Sequence, residues 1–202
     1  MKKSFILLLI IFISNLAYAE TSSSIPLSTA ELIKLLQAGG NIIYMRHGPT
    51  DHNQKDQDRH KLNNCSTQRN LSPQGRKQVQ NTGNTIRRLN IPIAKVSSSP
   101  YCRCKETAEL AFGKFSIEPD LHFSISKNEH ESDMLGKRLH EMMINADTSS
   151  GNVVFVGHTS NLRDGMGIWP KPEGVISVFK KKNNKIIYKG MITPNAWPAP
   201  SN

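Results

Sequence analysis

The sequence lacks the features that mark three common classes of protein. It has no basic stripe with interleaved aromatic residues and no helix-turn-helix or zinc-finger spacing, which argues against a nucleic-acid-binding protein. It has only 3 cysteines and no Cys-x-x-Cys pair, which argues against a structural metal site. No internal repeat and no long linker interrupts it, which favours one domain rather than several.

An apolar run over residues 5–13 follows the basic pair Lys2-Lys3 and precedes Ala17-Tyr18-Ala19. This order of a basic region, a short apolar region and an Ala-x-Ala site predicts a secretory signal peptide over residues 1–19. The run is too short for a comfortable membrane span, and an uncleaved anchor is the alternative. We therefore expect one domain over residues 20–202 in a periplasmic or secreted protein whose membrane contact is at most peripheral.

Acidic residues are scarce relative to basic ones. The chain has 26 Lys+Arg against 16 Asp+Glu, a formal net charge of +10. An exported protein with this charge meets anionic partners readily, and phosphorylated small molecules, anionic lipid and lipopolysaccharide all qualify. A general solubility charge is the alternative, because Lys180-Lys181-Lys182 and Lys185 resemble the solvated arms of a hairpin around Asn183-Asn184.

The three cysteines, Cys65, Cys102 and Cys104, all lie in the part of the chain predicted to be exported. Two of them are expected to pair in an oxidising compartment. Cys102 and Cys104 are too close in sequence for an easy mutual bridge, so we expect a disulfide from Cys65 to one of them. The sequence leaves that choice open.

Helix and strand patterns alternate along the chain. Ser28 and Ser72-Pro73 carry capping signals that predict helices over residues 27–38 and 73–89. Further helices are expected over residues 100–112 and 129–144, and strands over residues 42–45, 93–98, 116–121, 152–157, 175–179 and 186–188. The alternation predicts an α/β fold, a single three-layer α/β/α domain with a mainly parallel sheet. Residues 51–69 are polar and expected to be irregular, as loops that serve active sites often are.

Arg46-His47-Gly48 stands where the apolar strand over residues 42–45 ends, with Thr50 and Asn53 just beyond. Open α/β sheets bind ligands at this carboxyl edge. An imidazole there can attack phosphorus, and a guanidinium can grip two phosphate oxygens. The triplet on its own is a weak signal, because three residues recur by chance.

Two further segments bring matching chemistry to the same edge. Ser98-Ser99-Pro100 follows a predicted strand and opens a helix, which places Arg103 in the first turn of that helix, and Gly157-His158 ends another strand. Three strand ends thus deliver two histidines and two arginines to one pocket. Phosphoryl transfer needs such a set, with a nucleophile, a second imidazole to balance charge and guanidinium groups on the phosphate oxygens. Since the arginines neutralise the phosphate, no metal and no other cofactor is expected.

Together these motifs resemble the histidine phosphatase (phosphoglycerate mutase-like) superfamily. The matching segments, in the family order over about residues 41–165, are Arg46-His47-Gly48-x-Thr50-x-x-Asn53, Leu71-Ser72-x-x-Gly75, Ser98-Ser99-Pro100-x-x-Arg103 with Thr107-Ala108, and Gly157-His158. The resemblance implies a phosphoglycerate mutase-like fold in which His47 becomes phosphohistidine. It implies that Arg46, Arg103 and His158 complete the catalytic pocket, with Asn53 and Thr50 as further phosphate contacts.

The carboxylate that donates a proton to the leaving group in this family has no match here. Many members carry a glutamate at the position of Phe123, and phytase-like members carry an aspartate at the position of Thr159. Glu131, Glu129 and Asp51 remain as candidate proton donors. The alternative is that each is a solvated charge on the surface. A site without a donor favours substrates with good leaving groups, such as phosphoramidates or anhydrides.

The sequence therefore predicts an exported, metal-independent phosphatase that hydrolyses a phosphomonoester or phosphoramidate through a phosphohistidine at His47. The resemblance to small exported relatives adds envelope or lipopolysaccharide-core phosphate as a substrate. The alternative is a noncatalytic phosphate-ligand-binding envelope protein that retains the pocket. A mutase is less favoured, because the known mutase substrates are cytoplasmic and the chain lacks the insertions that shape a mutase pocket. No pattern predicts the oligomeric state.

Overall fold

A six-stranded sheet organises the residues that the computed structural model describes, which are 26–58, 61–124 and 128–199. Its strands are β1 (Ile42–Arg46), β2 (Ile93–Ser98), β3 (Ser116–Ile117), β4 (Asn152–Gly157), β5 (Ile176–Lys182) and β6 (Lys185–Ile192). The helices are α1 (Thr29–Gln37), α2 (Pro73–Arg88), α3 (Cys102–Phe112), α4 (Glu129–Ile144) and α5 (Thr159–Met166). None of the helices in these ranges is long and apolar enough to cross a membrane. The predicted signal peptide over residues 1–19 lies outside the described residues.

The strand order, β3-β2-β4-β1-β5-β6, brings the three motif-bearing strands together. Strands β3, β2, β4 and β1 run parallel, whereas β5 and β6 are antiparallel to their neighbours. Arg46 at the end of β1 lies opposite Gly157 of β4, and Ser98 of β2 lies opposite Val156 of β4. The carboxyl ends of β2, β4 and β1 therefore meet at one edge, as predicted for a mainly parallel sheet.

Helices cover both faces of the sheet. On one face, α1, α2 and α3 contribute residues such as Leu32 and Val79 to a core shared with Ile43 of β1. On the other face, α4 and α5 pack Leu139 and Leu162 against neighbouring residues of the strands. Successive side chains of a strand point to opposite faces, so β1 and β4 supply both cores and read as continuous apolar runs. This confirms the predicted three-layer α/β/α architecture.

Most element boundaries follow from local signals in the sequence. The Ser28 side chain caps α1 and Glu31 completes the predicted capping box. Ser72 caps α2, and its hydroxyl accepts a hydrogen bond from the backbone N of Gly75 at 3.0 Å. The predicted helix over residues 129–144 and the strand over residues 152–157 have the observed bounds of α4 and β4.

Three local expectations were wrong or incomplete. The strand expected over residues 116–121 is only β3, because Pro119 starts a 3-10 helix, Pro119–Leu121, instead of continuing the ladder. Helix α5 was not predicted, since its eight residues are too polar and too few to show a helical period. Lys180 and Lys181 are not solvated arms, because their ammonium groups donate to backbone carbonyls of Gly40 and of residues 144 and 146.

Candidate active site

His47 follows the last residue of β1 and is buried, with 3% of its surface exposed. Its backbone N donates to the Gly157 carbonyl at 3.0 Å, which ties the residue to β4. The ring Nδ1 lies 2.9 Å from the Gly48 carbonyl oxygen, and because a carbonyl only accepts, Nδ1 carries the proton and Nε2 keeps its lone pair. Burial, then the charge of Arg103, holds the pKa of His47 well below its usual 6.5. The ring is therefore a neutral nucleophile near neutral pH.

His158 lies at the end of β4 and caps α5, with 1% of its surface exposed. The centroids of its ring and that of His47 are 5.4 Å apart. Its Nε2 lies 3.0 Å from the Ser99 hydroxyl, and the Tyr44 hydroxyl donates to its backbone carbonyl at 2.8 Å. Burial, then the charge of Arg103, also holds the pKa of His158 well below its usual 6.5. Two neutral imidazoles therefore lie next to each other, and a bound anion would favour protonation of a ring.

Arg103 lies in the first turn of α3 and is fully buried. Its Nη1 donates to Asp56 Oδ1 at 2.9 Å and to the Arg69 carbonyl at 3.3 Å. Its Nε and Nη2 are also buried, and they have no hydrogen-bond partner within the described ranges. Burying unpaired N–H groups of a guanidinium is costly, and a bound phosphate can satisfy two of them at once. The arrangement suits an oxyanion site.

Arg46, the last residue of β1, is less free than the sequence suggests. Its Nη2 donates to Glu173 Oε1 at 2.9 Å, and its Nη1 donates to the Pro170 carbonyl at 3.3 Å. Its Nε is buried and has no hydrogen-bond partner among the described residues. Glu173 therefore occupies the end of the guanidinium that was expected to hold phosphate, and Nε is the nitrogen left for an anion.

The motif around Ser72 and Gly75 positions the loop that carries His47. The backbone N of Ser72 donates to the Pro49 carbonyl at 3.0 Å. A Cβ atom on Gly75 would collide with that same carbonyl, so only glycine lets α2 approach so closely. From α3, the Thr107 hydroxyl accepts a hydrogen bond from the backbone N of Gly48 at 3.0 Å. Two helices therefore fix the loop on either side of the histidine.

The other residues predicted for the site form different contacts. The side chain of Asn53 is exposed, and its backbone N belongs to a turn closed by Asp51 Oδ1. Glu129 and Glu131 are exposed in the first turn of α4. Among the described residues, none of these four side chains has a hydrogen bond or ion pair with either histidine of the pocket. Thr50 is buried, but it contacts Glu173 rather than the histidines. The proposed roles of all five residues stay predictions.

Phe123, where the resemblance leads one to expect a glutamate, packs against His158 and Arg103. Its ring centroid lies 4.9 Å from that of His158, and the Arg103 guanidinium carbon lies 5.4 Å from it. The Tyr101 ring meets the His158 ring edge to face, with 5.0 Å between the ring centroids. The wall that would carry the proton donor is therefore aromatic.

A disulfide between Cys65 and Cys102 fastens the long loop to the start of α3, which settles the pairing that the sequence left open. The buried Gln68 reinforces this link, because its Oε1 accepts from the backbone N of Cys102 at 2.9 Å. Cys104 is a buried free thiol whose Sγ lies 3.5 Å from His158 Nε2. Burial raises the pKa of Cys104 to about 12, so the thiol stays protonated.

Two carboxylates in the site were not predicted from the sequence. Asp56 pairs with Arg103, and Glu173 pairs with Arg46. Neither belongs to a motif, and each is separated from its arginine by a long stretch of chain, so no local signal points to them. Within the described ranges, no group of three or more His, Cys, Asp or Glu side chains converges as a metal site.

Residues 42–126 match the family model of the histidine phosphatase superfamily (branch 1). The structure is similar to the protein histidine phosphatase SixA complexed with tungstate, at 14% identity and a TM-score of 0.53 over 77% of this chain and 97% of that chain. It is similar to phosphoserine phosphatase from Entamoeba histolytica, at 14% identity and a TM-score of 0.55 over 76% of this chain and 96% of that one. It is also similar to a candidate alpha-ribazole-5'-P phosphatase from Escherichia coli, at 15% identity and a TM-score of 0.58 over 79% and 99%. No curated protein sequence matches significantly. At these identities the solved structures establish a shared fold.

Proposed function

We propose that this protein is an exported phosphatase that uses His47 as its nucleophile. The match of residues 42–126 to the histidine phosphatase superfamily model supports the predicted class of enzyme. One observation carries the proposal: a buried, neutral imidazole with a free Nε2 lies beside arginine N–H groups that have no partner among the described residues. A phosphate group supplies what each of these groups lacks, an electrophilic centre for the imidazole and anionic oxygens for the guanidinium groups.

In the proposed reaction Nε2 of His47 attacks phosphorus, and the bond from phosphorus to the leaving group breaks. Nε and Nη2 of Arg103 and Nε of Arg46 bind the phosphoryl oxygens as charge builds on them. As the phosphate anion binds, His158 takes a proton from solvent and holds that positive charge next to the transferred group, and it releases the proton when inorganic phosphate leaves. Water then attacks the phosphohistidine, which releases inorganic phosphate and returns His47 to its neutral form.

The aromatic wall favours substrates whose leaving group departs with little protonation. Phe123 packs on His158 where many family members present a glutamate, so no carboxylate from that position reaches the leaving group. An aryl phosphate releases a stabilised phenolate, and the nitrogen of a phosphoramidate is basic enough to take its proton from solvent, so both need an acid from the enzyme less than an alkyl phosphate does. We therefore propose a preference for the first two over the third.

An envelope substrate, such as lipopolysaccharide-core phosphate, fits the surface next to the pocket. Trp169 is 54% exposed, and it precedes Pro170, whose carbonyl contacts Arg46. Charged groups of Arg163 and Lys171 each lie 5.4 Å from the indole ring. An aromatic face flanked by two cations suits a substrate that carries further anionic groups. The predicted signal peptide and the disulfide support placement in the periplasm or outside the cell.

Hydrolysis of 4-nitrophenyl phosphate tests the proposal directly. We expect His47→Ala to lower kcat by on the order of 10⁴-fold or more, because the nucleophile is lost. His140→Ala, at an exposed position of α4, is the matched control and should keep wild-type activity. Rapid quenching of the wild type followed by mass mapping should find phosphate on His47. The rate should fall from phosphoramidate and aryl phosphate to alkyl phosphate.

The aromatic wall also favours a second candidate, a protein that binds a phosphate ligand without turning it over. Calorimetry with inorganic phosphate separates the two. If the wild type bound phosphate, while wild type and His47→Ala showed the same negligible hydrolysis from acidic to neutral pH, the enzyme proposal would be wrong and the binding protein would stand.

A further inference from the structure

The carboxylate of Glu173 joins both ends of the short segment that carries His47. Its Oε1 accepts from Arg46 Nη2 at 2.9 Å, and its Oε2 accepts from the backbone N of Thr50 at 3.0 Å. The Thr50 hydroxyl lies 3.3 Å from both carboxylate oxygens. The Glu173 side chain is only 11% exposed, so these bonds replace most of its hydration. One side chain thus links the residue before the nucleophile to a residue three positions beyond it.

The backbone around Glu173 holds the same segment. The backbone N of Gly174 donates to the His47 carbonyl at 2.9 Å, and the backbone N of Arg46 donates to the Val175 carbonyl at 3.1 Å. The Pro170 carbonyl accepts from Arg46 Nη1 at 3.3 Å. Residues 170–175 therefore lie along the nucleophile's segment and contact it through both side chains and backbone.

This geometry decides which nitrogen of Arg46 is available to an anion. Glu173 and Pro170 occupy Nη2 and Nη1, and Nε stays buried with no hydrogen-bond partner in the described part of the chain. An unrestrained arginine has many rotamers, and a donor that is already fixed loses less freedom when the transition state forms. Holding the far end of the guanidinium thus prepares Nε for the phosphoryl group.

We propose that Glu173 is a positioning residue, which orients Arg46 so that Nε meets the phosphoryl group at His47 and which keeps Thr50 against the same segment. The inference rests on the proposed function, because it assigns Arg46 to a phosphoryl group that His47 attacks. Arg46 Nη2 and the backbone N of Thr50 both donate to the Glu173 carboxylate, which suits an acceptor that holds its neighbours in place.

A double-mutant cycle tests whether Glu173 acts through Arg46. With 4-nitrophenyl phosphate as substrate, we expect Glu173→Ala to lower kcat/KM about tenfold in the wild-type background. In an Arg46→Ala background the same change should cost less than about twofold, because the group that it orients is gone. Glu106→Gln is the matched control, since it removes the charge from another Arg–Glu pair, with Arg76, and should leave kcat/KM unchanged.

A purely structural role predicts a different result, in which Glu173→Ala lowers kcat/KM by the same factor in both backgrounds, and that result would overturn the proposal. Melting temperatures show whether each variant folds. If Glu173→Ala does not fold, the cycle is repeated with Glu173→Gln, which can still accept a bond from Thr50 but has no charge for Arg46. If the wild type shows no turnover, the proposed function fails by itself. The affinity for inorganic phosphate, measured by calorimetry, then replaces kcat/KM in the cycle, and equal factors again overturn the proposal.

Discussion

The two arginines of the pocket look equivalent in the sequence but differ in the structure. Arg46 is 17% exposed, and its Nη1 and Nη2 are both bound to protein acceptors. Arg103 is fully buried, and its Nε and Nη2 have no partner within the described ranges. A buried cation with more unsatisfied N–H groups gains more from an anion. We infer that Arg103 binds phosphate with most of its guanidinium and that Arg46 contributes one oriented donor.

The partners of the two arginines are also anchored differently. Glu173 leads into β5, which pairs with β1, so the sheet itself keeps Glu173 close to Arg46. Asp56 lies in the polar stretch before Cys65, and the disulfide and the Gln68 hydrogen bond fasten Cys65 and Gln68 to the start of α3. The position of Glu173 beside Arg46 therefore depends on strand pairing. The position of Asp56 beside Arg103 depends on a disulfide, which reducing agents can break.

Replacing each arginine in turn is the test of this comparison with the largest expected effect. Arg103→Ala should lower kcat for 4-nitrophenyl phosphate by on the order of 10² to 10³, because two buried donors to the transition state are lost. Arg46→Ala should cost less, about tenfold to a hundredfold, since one donor is lost. Arg138→Ala, at an exposed pair with Asp120, is the control and should leave kcat unchanged. A larger loss from Arg46→Ala than from Arg103→Ala would contradict the comparison.

The same contrast explains how much of the site could be predicted. His47, Arg46, Arg103 and His158 lie at or just beyond strand ends, and strand ends are visible as apolar runs followed by a motif. The parallel sheet then brings those ends together, so the four residues meet as expected. The carboxylates that hold the arginines follow no period and belong to no motif. Asp56 and Glu173 reach the pocket through tertiary contacts alone, which a single sequence does not encode locally.

Fold prediction failed at comparable places. The capped helices α1 and α2 and the buried strand β4 carry strong local signals, and their bounds were predicted closely. Helix α5 begins at Thr159, and its N-cap is His158, which is not one of the usual capping residues. Lys181 reaches carbonyls at the end of α4, a contact between elements far apart in sequence. Local chemistry thus fixes element identity, whereas long-range polar contacts come only with the assembled structure.

Removing the disulfide should affect the two arginines unequally. In Cys65→Ser with Cys102→Ser, the free energy of unfolding should fall by about 3 to 4 kcal/mol, because the closed loop spans 37 residues of sequence separation. In the protein that remains folded, Asp56 is less constrained and kcat/KM should fall severalfold. Urea denaturation and steady-state kinetics measure both.

The contribution of Arg46 provides the check on that prediction. The factor by which Arg46→Ala lowers kcat/KM should be the same with and without the disulfide, because β1 and β5 hold Glu173 in either case. A change in that factor when the disulfide is absent would show that the two sides of the pocket are not separately anchored.

Alkylation of the wild type under native, non-reducing conditions should leave the buried Cys104 unmodified.

The smallest effect concerns the two buried histidines, whose pKa values Arg103 lowers more than Arg46 does. In an NMR titration, Arg103→Ala should raise the pKa of His47 and of His158 further than Arg46→Ala does.

The same histidines make the stability of the protein depend on pH. The pKa of each ring lies below the usual 6.5 in the folded protein, whereas in the unfolded chain each ring binds a proton as the pH falls through that value. The free energy of unfolding should therefore fall with pH below about 6.5, by at most about 1.4 kcal/mol per pH unit for each ring. Arg103→Ala should flatten that fall more than Arg46→Ala, and urea denaturation of the three proteins at several pH values measures it. Equal slopes in all three would mean that burial alone keeps the rings neutral and that the arginines differ only in how they meet the substrate.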